Sequence, residues 1–276
     1  KQLGKYNQNG KRLNVVMFQH PADKRSVDAV VAVPGLNTLL DYISKNSLER
    51  VYSFENDSSR LRITDRVSPK IIGMLEDAAQ MYGVSQIPKV YLERSYQYMV
   101  DLNGMSDPHI ILGTEWLENV DDQILWATLS AQIAGIQAKH GTMEFLETIL
   151  GLIGGLLPFG VDTALDLALK DWRRNRAYTV DRAVLLACED FGVAAKAILE
   201  GEAPNSVLDR IGLDKPNNSY YLQAKEFVER NGLEGGLQKV QTVMNKGQWM
   251  ASRYLELYNW YYGGEYFDVL EGSLNL

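Results

Sequence analysis

Residues 119–140, NVDDQILWATLSAQIAGIQAKH, predict the helix around which the fold is built. Asn119 and Asp121 are candidate N-cap residues, and acidic side chains suit the positive end of a helix dipole. Apolar side chains then recur at spacings of three and four residues, at Ile124, Leu125, Leu129, Ile133 and Ile136. We therefore expect one amphipathic helix with a buried face.

A short apolar run precedes this helix. HIILG, His109–Gly113, predicts a strand, and a strand followed by a polar link and a long helix is the layout in which zinc peptidases place the motif HExxH. That motif binds zinc through two histidines one helical turn apart, while its glutamate activates a water molecule. Counted back from His140, the corresponding positions hold Ala131, Gln132 and Gly135. The sequence keeps the layout without the reacting side chains.

Length and composition restrict the possible classes of protein. With 276 residues, 46% of them hydrophobic, the chain can bury a large core. Its net charge of −7 and the absence of a Lys/Arg-rich stripe argue against a nucleic-acid partner. The short basic cluster at Arg173, Arg174 and Arg176 predicts a solvated helix face.

The amino terminus is polar and shows no signal peptide, and a single cysteine fits a reducing compartment, so we expect a cytoplasmic protein. A removed leader remains an alternative. Cys188 lies among apolar neighbours and is expected to be a buried, inert thiol. The most membrane-like run, residues 149–161, is shorter than the roughly 20 apolar residues that span a bilayer. A broken, buried helix is favoured over an insert into a membrane surface.

The remaining pattern predicts an α+β fold, mostly helical, with a small sheet packed against a helical bundle. Residues 20–43 predict two helices or one bent one, residues 51–63 a hairpin, and Ser68-Pro69 the start of a helix that runs to Tyr82. KVYLE, Lys89–Glu93, is a second strand candidate, and residues 95–103 a third. Further helices are predicted at residues 143–157, 162–200, 220–231, 236–246 and 249–262, with a long loop at 200–219. We expect an arm at residues 1–19, one domain at 20–262 and a tail at 263–276.

Several blocks of the chain, in order, resemble the minimal zincin peptidases, the family that includes HtpX and the CAAX-prenyl endopeptidase. The blocks are HPADKRSVDAVVAVPG at residues 20–35, DPHIILGTEWLENVDDQILWATLSAQIAGIQAKH at 107–140, DWRRNRAYTVDRAVLLACED at 171–190 and NNSYYLQAKEF at 217–227. The likeness covers roughly residues 20–260 and implies a zincin-like peptidase fold.

The chain differs from the family at the positions of the zinc ligands and the general base. The resemblance implies that Ala131 and Gly135 stand in the slots of the two zinc-binding histidines, and Gln132 in that of the general base. The third ligand, a glutamate four residues before Asp181, is Ala177, and the late His-Pro pair falls on Gly247 and Gln248. We therefore expect no zinc and no other cofactor, because three protein ligands are missing.

Small side chains recur along one face of the predicted helix, at Ala127, Ala131, Ala134, Gly135 and Ala138. They predict a close helix contact that fills the space of a metal, although alanine is also simply a good helix former. Asp181 is expected to pair with Arg182 or Arg174, or to cap a backbone group. The three histidines, His20, His109 and His140, show no metal-binding spacing and are expected to be structural.

Two features predict binding. The strand with His109, Ile110, Ile111 and Leu112 corresponds to the edge on which the family lays extended substrate, and an open edge can add a peptide strand. The alternative is an ordinary, protected edge. The second feature is the aromatic cluster near the carboxyl terminus, for which core packing is the alternative; its candidate binding residues are Trp249, Tyr254, Tyr258 and Trp260.

These patterns predict a catalytically inactive, metallopeptidase-like protein, not an enzyme, that binds another protein or an extended peptide as a scaffold or regulator. The alternative is an active hydrolase whose metal site is rebuilt from His20, His109 or His140. A third, weaker alternative is a protein that lies on a membrane surface through residues 149–161.

Overall fold

The computed structural model describes residues 12–95, 100–153, 160–200, 203, 205–233 and 250–274. Its strands are β1 Leu61–Ile63, β2 Lys89–Glu93, β3 Val100–Asn103 and β4 His109–Gly113. Its α-helices are α1 Pro21–Val31, α2 Leu36–Lys45, α3 Leu48–Ser59, α4 Pro69–Tyr82, α5 Thr114–Asn119, α6 Asp122–Gln137, α7 His140–Ile153, α8 Val161–Cys188, α9 Phe191–Leu199, α10 Asn205–Ile211, α11 Ser219–Leu233, α12 Met250–Tyr262 and α13 Glu265–Leu274. The predicted α+β class, mostly helical with a small sheet, is confirmed.

The four strands form one mixed sheet in the order β1-β2-β4-β3. β2 and β4 are parallel, with Lys89 opposite His109, and β1 and β3 pair with them antiparallel. β4 is therefore an internal strand, and all five of its residues are buried. The prediction that β4 forms an edge is wrong, because strand order is set by pairing between distant segments.

Successive side chains of a strand point to opposite faces of the sheet. One face carries apolar residues such as Val90, Leu102 and Ile110 and packs into the main core. The other, which we call the polar face, consists of Arg62, Lys89, Tyr91, Glu93, Asp101, Asn103, His109 and Ile111. α3 lies on the polar face, where Asn56 binds His109 and Asp57 binds Tyr91. α7 also reaches it, because Thr148 accepts a hydrogen bond from Asn103.

Two hydrophobic clusters lie along the long helix α8, one at each of its halves. The larger joins the sheet, α4, α6, α9 and α12 and includes Ala183 and Leu186 of α8. The smaller joins α1, α2 and α7 and includes Leu165 and Trp172 of α8. α8 thus connects the two clusters, since its two halves contribute to different ones.

The helix predicted at residues 69–82 is confirmed, and local signals define both ends. Ser68 Oγ accepts a hydrogen bond from the Ile71 N–H at 3.4 Å, and Pro69 follows it at the first helical position. Gly83 ends the helix with φ of 66°, a left-handed conformation that glycine adopts without strain. The two helices around Pro34 and the strands β2 and β3 also match their predictions.

Tertiary contacts override three local predictions. Residues 51–63 do not form a hairpin, because α3 runs to Ser59 with the buried Asn56 held against the sheet. The helix predicted over 162–200 breaks after Cys188, where Glu189 has φ of 54° and Asp190 caps α9. The long loop predicted at 200–219 contains α10.

The predicted arm and tail both pack against the domain. Leu13, Val15 and Phe18 are buried in the larger cluster, and the backbone N–H of Leu13 donates to Met81. Residues 265–274 form α13, which buries Tyr266 and Leu270. Residues 1–11 and the helix predicted at 236–246 lie outside the described residues. None of the described helices combines the length and the apolar character needed to cross a bilayer.

Candidate functional site

α6 has eleven buried residues, and beyond its first turn none of its residues is exposed, so it is not amphipathic. It begins where Asp121 accepts a hydrogen bond from the Gln123 N–H at 2.8 Å, and it ends at Gln137. Lys139, with φ of 61°, then turns the chain into α7, which starts at His140. A helix that is apolar on every side belongs to a core. The predicted single helix over 119–140 is therefore α6 plus a turn, and its predicted solvent face is wrong.

The predicted small-residue stripe lies in the protein interior. All five of its members are buried: Ala127, Ala131, Ala134, Gly135 and Ala138. α6 packs along α8, which carries the half-buried Ala177. A Cβ atom on Gly135 would lie 3.0 Å from Leu102 Cδ2 and 3.5 Å from His140 Nδ1. Leu102 and His140 therefore occupy the space beside this turn of α6.

The residues at this turn do not fit a zinc ion. Ala131, Gly135 and Ala177 carry no atom that binds a metal, and Gln132 carries only an amide. Across the described ranges, no three His, Cys, Asp or Glu side chains are grouped so that they could hold a metal ion. Gly247, the fifth predicted slot, lies outside those ranges. The assignment of these five positions as emptied slots of a zinc site remains a prediction.

His140 is held by a buried carboxylate on α1. Its Nε2 lies 3.0 Å from Asp23 Oδ2, which also accepts hydrogen bonds from Thr179 Oγ1 at 2.7 Å and Gln19 Nε2 at 3.1 Å. Burial alone would raise the pKa of Asp23, but the charge and hydrogen bond of His140 and the other two donors bring it below its usual value. This cluster joins α1, α7 and α8.

His20 joins α1 to α12. Its Nδ1 accepts a hydrogen bond from the Ala22 N–H at 3.1 Å, so the proton is on Nε2, which donates to Glu256 Oε1 at 2.9 Å. That hydrogen bond lowers the pKa of Glu256 against the opposing effect of burial, with help from Arg182 at 3.6 Å. The predicted structural role of His20 agrees with these contacts.

Asp181 pairs with Arg253 of α12 at 2.9 and 2.6 Å, and not with Arg182 or Arg174 as expected. Asp181 is buried, so a two-point ion pair there satisfies both carboxylate oxygens. Arg182 instead lies over the ring of Trp260 at 4.8 Å and donates to the Phe18 carbonyl. The expected pairing is wrong because the partner, Arg253, lies on α12, 72 residues from Asp181 in the sequence.

The predicted binding residues of β4 and α12 are core residues. His109 is buried, with Nε2 3.0 Å from Asn56 Nδ2, and burial lowers its pKa. Ile110, Ile111 and Leu112 are buried between two paired neighbours. Tyr254 and Tyr258 are also buried, in the aromatic packing between α9, α11 and α12, and Trp260 is buried against Tyr266 of α13. Burial of these side chains favours core packing over binding at both places, and Trp249 lies outside the described residues.

The outer strand beside α6 is β3. In the described part of the chain β3 pairs with β4 alone, and Leu102 on its apolar face packs against Gly135. The Gly104 N–H donates to the Gly141 carbonyl at 3.1 Å, which places the end of β3 against the start of α7. Alternation of apolar Val100 and Leu102 with polar neighbours was the signal in the sequence for this strand.

Charged side chains line the polar face near β3. Glu144 of α7 is buried and lies 2.7 Å from Arg176 and 3.4 Å from Arg173. Burial raises the pKa of Glu144, Arg176 and Arg173 oppose that rise, and the negative charge of Asp101 adds to it. Asp101 itself is half-buried and forms no hydrogen bond or ion pair with the described residues.

An open cleft of about 670 Å³ lies between α2, α3 and the loop before β4, and Lys89 of the polar face is one of its lining residues. In its lining, Lys89 Nζ lies 2.8 Å from Asp107 Oδ2 and 3.2 Å from Ser53 Oγ. Glu49 accepts hydrogen bonds from the backbone N–H groups of Met105, Ser106 and Asp107. These charges are already paired, so the cleft is the weaker candidate.

Comparison with known proteins finds a similarity in sequence to a metallopeptidase. The chain is 25% identical over 271 residues to Plastoglobule-localized metallopeptidase 48, chloroplastic, of Arabidopsis thaliana, a match that covers 95% of this chain and 77% of the relative. The chain resembles a metallopeptidase over nearly its whole length. No protein-family model and no solved structure gives a significant match.

This likeness corrects one prediction. The chain was expected not to be an enzyme, but its relative is named a metallopeptidase, which points to a peptidase. The likeness to metallopeptidases in general is supported, while the narrower resemblance to HtpX and the CAAX-prenyl endopeptidase is not tested by it. The relative is named as plastoglobule-localized and chloroplastic, so it gives no support to the expected cytoplasmic location.

Proposed function

We propose that this metallopeptidase-like chain binds an extended polypeptide along the outer edge of β3 and acts as a protein-binding, scaffolding or regulatory module. The observation that carries the proposal is the position of β3, which is the outer strand and packs through Leu102 against Gly135 of α6. That turn of α6 is where the resemblance to zincin peptidases aligns their reacting motif. The likeness to a metallopeptidase supports a polypeptide as the ligand.

Strand addition supplies the binding energy in this proposal. An outer strand offers unpaired backbone N–H and C=O groups, and an extended peptide pairs with them whatever its sequence. Side chains of the peptide alternate between the two faces of the enlarged sheet and supply selectivity. β1, the outer strand at the opposite end of the sheet, is the natural comparison because it has only three residues.

The test is the affinity of a fluorescein-labelled peptide, Gly-Ser-Thr-Val-Lys-Val-Thr-Ser-Gly, measured by fluorescence anisotropy. Proline removes a backbone donor and does not fit a paired strand. We expect Val100→Pro in β3 to weaken binding about tenfold, the effect of losing one or two hydrogen bonds. Leu61→Pro in β1 is the matched control and should leave the affinity unchanged.

Circular dichroism and a melting curve for both variants check that each is folded. If the unaltered chain does not bind the peptide, or if both proline variants fold and lose affinity equally, the proposal is wrong. If Val100→Pro does not fold, Asp101→Pro replaces it in the same comparison, with norleucine in place of the lysine of the peptide so that loss of the Asp101 charge does not affect the result.

Peptidase activity itself is the second candidate, and the name of the relative favours it. The rebuilt metal site expected from His20, His109 and His140 has no support among the described residues, because each histidine is held by a different partner: Glu256, Asn56 and Asp23. The assay is incubation of unfolded casein with the purified chain, with and without added zinc. Fragments that increase with protein concentration and vanish with a chelator would establish this function.

A further inference from the structure

We infer that the polypeptide bound at β3 carries a lysine or arginine opposite Asp101. This inference rests on the proposed function and adds which peptide side chain the site prefers. A residue opposite Asp101 on an added strand would lie on the polar face, with its Cβ about 4.5–5.5 Å from that of Asp101. Opposite charges at such a pair of positions are mutually stabilising.

Two polar groups on this face of β3 lack partners. The half-buried carboxylate of Asp101 has no hydrogen bond or ion pair within the described residues. Two positions further along, Asn103 is 96% buried, since 4% of its surface is exposed, and its Oδ1 has no hydrogen-bond partner there either. Asn103 Nδ2 is already used, because it donates to Thr148. Both free groups are acceptors, so the ligand that suits them is a donor.

Three arginines that line the polar face are engaged with other carboxylates, and none of the described ion pairs includes Asp101. Arg176 and Arg173 lie on Glu144, and Arg173 also lies 2.7 Å from Glu147. Arg60, the residue that follows α3, is bound to Glu93 and Asn56. Asp101 therefore contributes uncompensated negative charge to this part of the polar face. An ammonium or guanidinium group would neutralise it and donate hydrogen bonds, whereas a carboxylate would be repelled.

The experiment compares four peptides, Gly-Ser-Thr-Val-X-Val-Thr-Ser-Gly, in which X is lysine, arginine, norleucine or glutamate. The alternation places X on the polar face and both valines on the apolar face. We expect the lysine and arginine peptides to bind about fivefold more tightly than the norleucine peptide. The difference should shrink in high salt, because salt screens exposed charges.

Variants of Asp101 separate this inference from the proposed function. Asp101→Asn should bind the lysine and norleucine peptides equally while keeping the norleucine affinity, and Asp101→Lys should favour the glutamate peptide. Asp41→Asn, at an exposed position on α2, is the matched control and should keep the preference for lysine. A norleucine peptide that binds as tightly as the lysine peptide would overturn the inference and leave strand addition intact. If none of the four peptides binds, strand addition itself is refuted.

Discussion

Arg253 of α12 holds Asp181 of α8 through two hydrogen bonds, from Nε to Oδ2 at 2.9 Å and from Nη2 to Oδ1 at 2.6 Å. The side chain of Asp181 is 3% exposed and that of Arg253 is 24% exposed, so the pair lies at the boundary of the core. With the contact between His20 and Glu256, it ties α12 to α1 and α8. The ion pair with Asp181 and the hydrogen bond with His20 thus position α12, the helix that carries the aromatic residues Tyr254 and Tyr258.

Asp181→Asn should lower the free energy of unfolding by about 3 kcal/mol, because removing one partner of a buried pair leaves the other uncompensated. Urea denaturation measures the change. The double variant Asp181→Leu/Arg253→Met should recover part of the loss, since it removes both charges. A single variant as stable as the unaltered chain would show that the pair does not contribute.

Asp23 should make stability depend on pH in the acid range. Its pKa in the folded chain lies below the ordinary 3.8, so its contribution is present above about pH 3.8 and is lost as the pH falls through the lower folded value. At pH 6 we expect Asp23→Asn to be less stable by about 2 kcal/mol. That gap should narrow below pH 3.8; a constant gap from pH 6 to pH 3 would contradict the assignment.

Two glycines in helix interiors should respond differently to alanine. A Cβ atom on Gly73 of α4 meets nothing within 4 Å, so Gly73→Ala should stabilise the chain by about 1 kcal/mol through helix propensity. On Gly135 the Cβ would lie 3.0 Å from the buried Leu102, and we expect Gly135→Ala to destabilise by about 1 kcal/mol. Thermal melting of the two variants distinguishes them, and equal stabilisation would mean that Leu102 moves aside freely.

Cys188 should resist alkylation in the folded chain. Burial raises the pKa of its thiol to about 12, and the sulfur lies 3.2 Å from the Asp190 carbonyl. Because the thiolate is the reactive form, labelling with iodoacetamide at pH 8 should be about a thousandfold slower than in the unfolded chain. Cys188 is half-buried by its accessible surface, so comparable rates in water and in about 8 M urea would show that the fold does not protect its thiol.

Local signals in the sequence were sufficient for some elements and not for others. Ser68, Pro69 and Gly83 act within their own helix, which is why α4 was predicted with both ends correct. The sequence predicts a hairpin where α3 forms. The helix holds its buried Asn56 against His109, a residue 53 positions away, and a local pattern does not report such a contact. The order of the strands also depends on pairing between distant segments. It makes β3 the outer strand of the sheet, where β4 was expected.

In the candidate site, too, local sequence patterns predict some features, and contacts between distant residues determine the others. The turn with Ala131, Gln132 and Gly135 was located by counting along one helix, and the structure places it in the core beside β3. The partner of Asp181 was missed because Arg253 is 72 residues away. Asp101 was missed because its lack of a partner is a property of the folded chain, and no local pattern reports it.

Hydrogen exchange measured with and without the lysine peptide tests strand addition most directly. If the peptide pairs with β3, backbone amides of residues 100–103 should exchange more slowly when it is bound, because new hydrogen bonds protect them. Amides of β1, residues 61–63, should not change. Protection at β1 or elsewhere, with none at residues 100–103 while the peptide is bound, would contradict the proposed function.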